Sequence, residues 1–205
     1  MANPWDVNGQ GWTNIVIPED HNIVNICERL NKFFRDKEAY SKFLACRGES
    51  AQQLLDLLQD LLDRDLDPDT TNRGRIFKAL IRLSRDSKLH PQCLKLTGLK
   101  ETQLVAGGTF SDVHKGSLCG QNVAIKMMRV FVESDIDALL KEFSREALIW
   151  RQLCHPNLLP FFGLYYLHGR LCLVSPWMEN GQLRAFLNNR SCDTDRLLSL
   201  VSDAT

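Results

Sequence analysis

Three short stretches of this chain hold residues whose types and spacing could do chemistry. The run Val105-Ala-Gly-Gly-Thr-Phe-Ser-Asp-Val113 lies between two strand-like segments, unlike the glycine loops that open a helix and bind phosphate at its N-terminus. A glycine-rich hairpin of this kind can fold over a nucleotide and offer backbone N–H groups to its phosphates, because missing side chains let the main chain approach closely. Taken alone, the run better suits an ordinary hairpin turn. Val123-Ala-Ile-Lys126 follows on the next strand. The two-residue period of a strand puts Ala124 and Lys126 on one face, a small residue that admits a flat ring beside a cation placed for phosphates. A solvated strand lysine is the plain alternative. Glu146 lies on a helical segment beside Phe143, Ala147, Ile149, Trp150 and Leu153, whereas Glu142 and Arg145 look outward. A carboxylate next to a buried face wants a cationic partner, and Lys126 is the candidate.

The elements that must position these residues are legible as two modules. Ile23, Ile26, Cys27, Leu30, Phe33 and Phe34 recur at helical spacing from Asn22 to Arg35, and a second helix fits Asp36 to Cys46, with Gly48 stopping it. Ser50 is the expected N-cap of a third helix, whose leucines at 54, 55, 57, 58, 61 and 62 form a wide apolar stripe; a fourth runs from about Thr71 to Arg85. Together residues 21–88 read as a small helical module without catalytic chemistry, preceded by a flexible segment, 1–20, and followed by a linker, 89–98. From Leu99 onward the pattern changes to alternating stretches (103–108, 112–118, 122–128, 158–167 and 170–175) with turns at Cys119-Gly120-Gln121 and His168-Gly169-Arg170. A single helix, from about Asp137 to Leu153, interrupts them. The fold class expected is therefore α+β, an antiparallel sheet with one helix, behind an all-α module.

Composition narrows the function classes. Of 205 residues, 44% are hydrophobic and 24% charged, and Lys+Arg and Asp+Glu both total 25, so no basic footprint for nucleic acid exists. The first residues carry no signal-peptide pattern and no apolar run is long enough to span a bilayer, which points to a cytoplasmic protein. Seven cysteines without a Cys-x-x-Cys pair or zinc-like spacing to histidine suit reduced thiols, and no metal site is expected from them.

The order of the features is more specific than any one of them. A glycine-rich hairpin, Val-Ala-Ile-Lys on the next strand, a helix with Glu146, then His155-Pro156-Asn157 and Ser175-Pro-Trp-Met-Glu-Asn-Gly-Gln-Leu183 resemble the N-terminal lobe of a protein kinase, in wording closest to the tyrosine-kinase-like group. The resemblance implies a partial kinase domain over 99–205 that binds ATP and, as the family activity, transfers phosphoryl groups to protein hydroxyls. It makes Ala106, Gly107, Gly108, Thr109, Phe110 and Ser111 the phosphate-covering loop, after Val105 and with Val113 against the adenine. It places Ala124 in the same slot, has Lys126 bind phosphates and pair with Glu146, sets Ser175 at the gatekeeper position, and has Met178 offer backbone groups to the adenine edge. Ala106 and Ser111 stand where the family has its first and third glycine; Ala disfavours φ > 0 and Ser adds bulk, so looser phosphate wrapping is expected. Magnesium is implied for the family, but no His-Arg-Asp, Asp-Phe-Gly or Ala-Pro-Glu run occurs, so its ligands and the catalytic base are missing. The resemblance would start a second-lobe helix at Leu183–Leu187 and leave Leu197, Leu198, Leu200 and Val201 uncovered, as in a shortened product of a longer gene. Catalysis is thus not expected of these residues alone, and the alternative is a non-catalytic, pseudokinase-like adaptor acting through a protein partner.

Overall fold

The structure, a computed structural model, describes residues 20–64, 70–109, 111–129 and 136–181. Expectations for the N-terminal segment, for Phe110 and for everything from Gln182 on lie outside the described residues. Contacts divide the chain into two units, Met1–Lys95 with Asp137–Leu148, and Leu96–Ile136 with Ile149–Thr205.

In the first unit four helices follow one another: α1 (Asp20–Arg35), α2 (Lys37–Leu44), α3 (Gly48–Asp63) and α4 (Thr70–Ser87). Asp36 caps α2 by accepting from the amides of Glu38 and Ala39, satisfying donors that the first helical turn leaves open. Gly48 is not merely a stop. With φ +58 it turns the chain and begins α3, whose N-cap is Arg47, so the expected cap at Ser50 is displaced into the helix. The leucine stripe is buried at Leu55, Leu58, Leu61 and Leu62 against α4, while Leu57 remains 37% exposed. Phe33, Phe34, Tyr40 and Phe43 gather at the α1–α2 corner, Tyr40 stacked on Phe43 and the other pairs edge to face, and the Arg82 guanidinium lies 5.9 Å from the Tyr40 ring centroid.

The segment expected as a linker is instead stitched down. Ser84 Oγ donates to the Leu89 carbonyl at 2.7 Å, Gln52 Nε2 to the His90 carbonyl at 2.8 Å, and the Gln92 amide to Asp56 Oδ1 at 2.6 Å. His90 is buried, with Nε2 2.7 Å from Ser144 Oγ on α5 (Ile136–Gln152). The single proton of Ser144 goes to the Leu140 carbonyl at 2.5 Å, so His90 must be the donor, through Nε2–H. Long-range side-chain contacts of this kind leave no trace in local periodicity, which is why the segment reads as loose.

The second unit holds β1 (Lys100–Gly107), β2 (Ser111–Leu118), β3 (Gln121–Met128), β4 (Gly163–Leu167) and β5 (Arg170–Pro176) in one antiparallel sheet, ordered β1-β2-β3-β5-β4. Both expected tight turns are present. Cys119 (φ 51) with Gly120 (φ 82), and His168 (φ 50) with Gly169 (φ 73), adopt the left-handed geometry that matches strand twist in a two-residue hairpin. The run 158–162, expected as strand, is not one. His155 and Leu158 close a turn, the Trp150 indole donates to the Leu159 carbonyl at 2.7 Å and stacks on Phe161, and β4 starts only at Gly163. Leu153, expected to be covered, is 49% exposed beyond the end of α5.

One face of this sheet is the core: Leu118, Val123, Ile125, Met127, Cys172 and Val174 bury with Leu96 and Leu99. Gly116 sits at the centre of that face, where a Cβ would come 2.8 Å from Ile125 Cδ1 and 3.1 Å from the Lys100 carbonyl oxygen. Gly116→Ala is therefore expected to destabilise by about 1–3 kcal/mol, the usual cost of overpacking, read as a lowered urea midpoint. A second prediction concerns His90, whose imidazole burial pushes down to about 4, with Lys95 adding repulsion. The unfolded chain takes up this proton near pH 6.5 and the folded chain only near 4, so stability is complete above 6.5 and falls through that window, by up to about 3 kcal/mol. Urea titrations at pH 7 and pH 4 are expected to show a smaller loss in His90→Gln than in the unsubstituted chain.

Candidate functional site

Directly opposed residues in an antiparallel sheet share a face, so the register decides which side chains can act together. One row runs Ala106, Val113, Lys126, Leu173, Leu164 through all five strands, and the adjacent row is Gln103, Lys115, Ala124, Ser175. Both rows stand on the face opposite the apolar cluster, since His114, Ile125 and Val174 alternate with them. Val113, Ala124, Lys126 and Ser175 are thus brought to one surface, a placement that the two-residue period predicted for Ala124 and Lys126. Such a surface can take a flat apolar ring near Val113 and Ala124, with an ammonium one pair away.

Strand β1 joins these rows only through a bulge. Gln103 and Ala106 are three residues apart, yet they pair with Lys115 and Val113, which are two apart; the extra residue falls between Leu104 and Ala106. Without that irregularity, strict alternation would turn Ala106 to the core side. Val105, at the bulge, is 50% exposed.

At the glycine-rich turn, Gly107 pairs with Asp112, and the Gly108 amide donates to the Ser111 carbonyl at 2.8 Å. Neither Ala106 nor Gly107 nor Gly108 has positive φ. The alanine in place of the family's first glycine therefore carries no conformational penalty here. What the glycines supply is room. A Cβ on Gly107 would lie 2.7 Å from Arg129 Nη2 and 3.3 Å from Asp112 Oδ1, and one on Gly108 would lie 3.0 Å from the Ser111 carbonyl oxygen. Arg129 donates to Asp112 Oδ1 from Nε at 2.8 Å and from Nη2 at 2.6 Å, and this hydrogen bond holds the Asp112 carboxyl below the usual carboxylate range. The start of β2 is thereby tied to the end of β3. Nothing in the local pattern singles out Asp112 or Arg129, because their pairing exists only once the two strands are in register.

Ser175 is buried, Ala124 and Lys126 are half-buried, Thr109 is exposed, and Met178 is 52% exposed on the segment after β5. Glu146 is half-buried on α5, in the first of the two units, and Lys126 lies in the second. His155-Pro156-Asn157 turns out to be a turn motif, in which the Asn157 amide donates to His155 Nδ1 at 3.1 Å and the Leu158 amide to the His155 carbonyl at 3.0 Å. Among the described residues no group of three or more His, Cys, Asp or Glu could hold a metal ion.

The family model for protein tyrosine and serine/threonine kinases matches residues 99–204, just over half of the chain. The chain belongs to that kinase family. Among similar proteins, serine/threonine-protein kinase STY46 of Arabidopsis thaliana is 33% identical over 98 residues, covering 47% of this chain and 16% of the relative. Serine/threonine-protein kinase STY17 of the same plant is 34% identical over 90 residues, covering 44% and 15%. The interleukin-1 receptor-associated kinase-like 2 of Bos taurus is 35% identical over 80 residues, covering 39% and 13%. These relatives agree with the tyrosine-kinase-like group, and the kinase chain spans about a sixth of their length or less. No helix among the described residues is long and apolar enough to cross a membrane.

Gly107→Ala is expected to push the Arg129 guanidinium off Asp112, and hydrogen exchange at the turn amides should accelerate as a result. Asp112→Asn, which removes the charge but leaves the space, should reproduce the effect in part; unchanged exchange in both variants would show that the ion pair does not hold the turn.

Proposed function

We propose that the sheet face bearing Val113, Ala124, Lys126 and Ser175 binds ATP, and that phosphoryl transfer to protein hydroxyls is the activity this chain serves. The observation that supports the reading most is the register that aligns Lys126 with Val113 and Ala106, directly beside the Ala124–Ser175 pair. In this reading Val113 and Ala124 cover the adenine, Ser175 lies at the gatekeeper position, and Met178 offers its backbone to the adenine edge. The glycine-rich turn from Ala106 to Ser111 covers the phosphates. Lys126 makes charge-assisted hydrogen bonds to them, the role that residue type has in the kinase family.

The family's transfer chemistry uses magnesium and a catalytic base. No His-Arg-Asp or Asp-Phe-Gly run occurs in the sequence. The contribution of this chain's own residues is binding and orientation. A protein substrate follows from the family activity. A cytoplasmic setting belongs to the same proposal, with the free thiols of Cys46, Cys119, Cys154 and Cys172 in accord with it.

Titration calorimetry with ATP tests the reading. Lys126→Ala is expected to weaken binding by about ten- to a hundredfold, the loss of a hydrogen bond to a charged group. Equal affinity in the two proteins would refute the role of Lys126, and no binding by the unsubstituted chain would refute the reading as a whole.

A further inference from the structure

We propose that Lys115 is a positioning residue of this nucleotide site: it clasps β2 to the Trp177–Glu179 segment and so sets how freely the slot beside Ala124 and Ser175 opens. The inference rests on the ATP-binding reading above and adds to it a residue that the reading does not use. Lys115 stands in the row Gln103, Lys115, Ala124, Ser175, on the face that bears Lys126. Its Nζ lies 4.9 Å from the Trp177 ring centroid and 3.7 Å from Glu179 Oε1. A strand lysine ordinarily extends into water, but this side chain is only 34% exposed, so it has given up solvent for an aromatic face and a carboxylate.

The same short segment is gripped a second time from β3. The Trp177 amide donates to the Asn122 carbonyl at 3.1 Å, and Asn122 Nδ2 reaches Glu179 Oε1 at 3.3 Å. Those two bonds persist if Lys115 is removed, so the segment keeps its place beside β3. What Lys115 adds is a tie to β2, the strand that runs through Val113 and Asp112 into the glycine-rich turn. A flat base entering or leaving between β2 and the Trp177 segment must pass beside this clasp. Its loss should therefore act on the rates of entry and release together, whereas a residue touching the base would change the equilibrium affinity.

The test compares Lys115→Met, which keeps the stem and removes the cation, with Lys115→Arg, which keeps charge and ring contact. Two readouts are taken on the whole chain. Hydrogen exchange of residues 105–112 without nucleotide is expected to accelerate about two- to fivefold in Lys115→Met, the scale of an exposed cation–π contact, and to be restored by Lys115→Arg. Stopped-flow release of a fluorescent ADP analogue should accelerate by a similar factor in Lys115→Met, with Kd changed less than twofold. Unchanged exchange and release in Lys115→Met, with analogue still bound, would overturn the positioning role alone. A Kd shift matching the whole change in release, with entry unaltered, would also overturn it, since it would make Lys115 a direct contact. Failure of the unsubstituted chain to bind the analogue would overturn the nucleotide reading, and this role with it.

Discussion

Alternation commits the side chains of a strand to opposite faces, and in β3 and β5 the apolar set is Val123, Ile125, Met127, Cys172 and Val174. Once these bury with Leu96 and Leu99, Ala124, Lys126, Leu173 and Ser175 have only the other face to occupy. A slip of one residue would carry Lys126 into the core and Ile125 out of it, exchanging a favourable burial for a desolvated ammonium. The hydrophobic effect thus guards the register, and the register decides which side chains share the opposite face. The chemistry-bearing face is a consequence of what the opposite face must bury.

Electrostatics acts at the margins of that face. Arg129 and Asp112 join the end of β3 to the start of β2, and Lys115 joins β2 to the segment after β5. Both are partly exposed, so neither contributes greatly to global stability. Their weight is local, in deciding how the glycine-rich hairpin is held. Gly107 belongs to this arrangement through space: the room it leaves is taken by the Arg129 guanidinium, and its backbone conformation is one that any residue could adopt.

In the first unit, the segment after α4 shows how polar groups can order a stretch that has little hydrophobic pattern. Gln52, Asp56, Ser84 and Ser144 each bond to it, and His90 enters the interior as a neutral donor because burial opposes its charged form. Leu94 within the stretch is buried as well.

The kinase features most legible in the sequence were those that depend on near neighbours. Period 2 over 122–128 and 170–175 placed Ala124 and Lys126 together; Cys119-Gly120 and His168-Gly169 declared their hairpins; helical spacing marked all five helices. Errors arose where a distant group intervenes. Trp150 and Phe161 hold 158–162 out of the sheet, the bulge at Val105 resets the face of Ala106, and His90 meets Ser144 across 54 positions of chain. By itself, then, the sequence determined which faces are apolar, where the chain turns and that Ala124 and Lys126 share a face, because those follow from local propensity and alternation. Only the tertiary structure decided the bulge, the Arg129–Asp112 tie and the Lys115 clasp, because each is a contact between residues whose proximity exists only after the strands have paired.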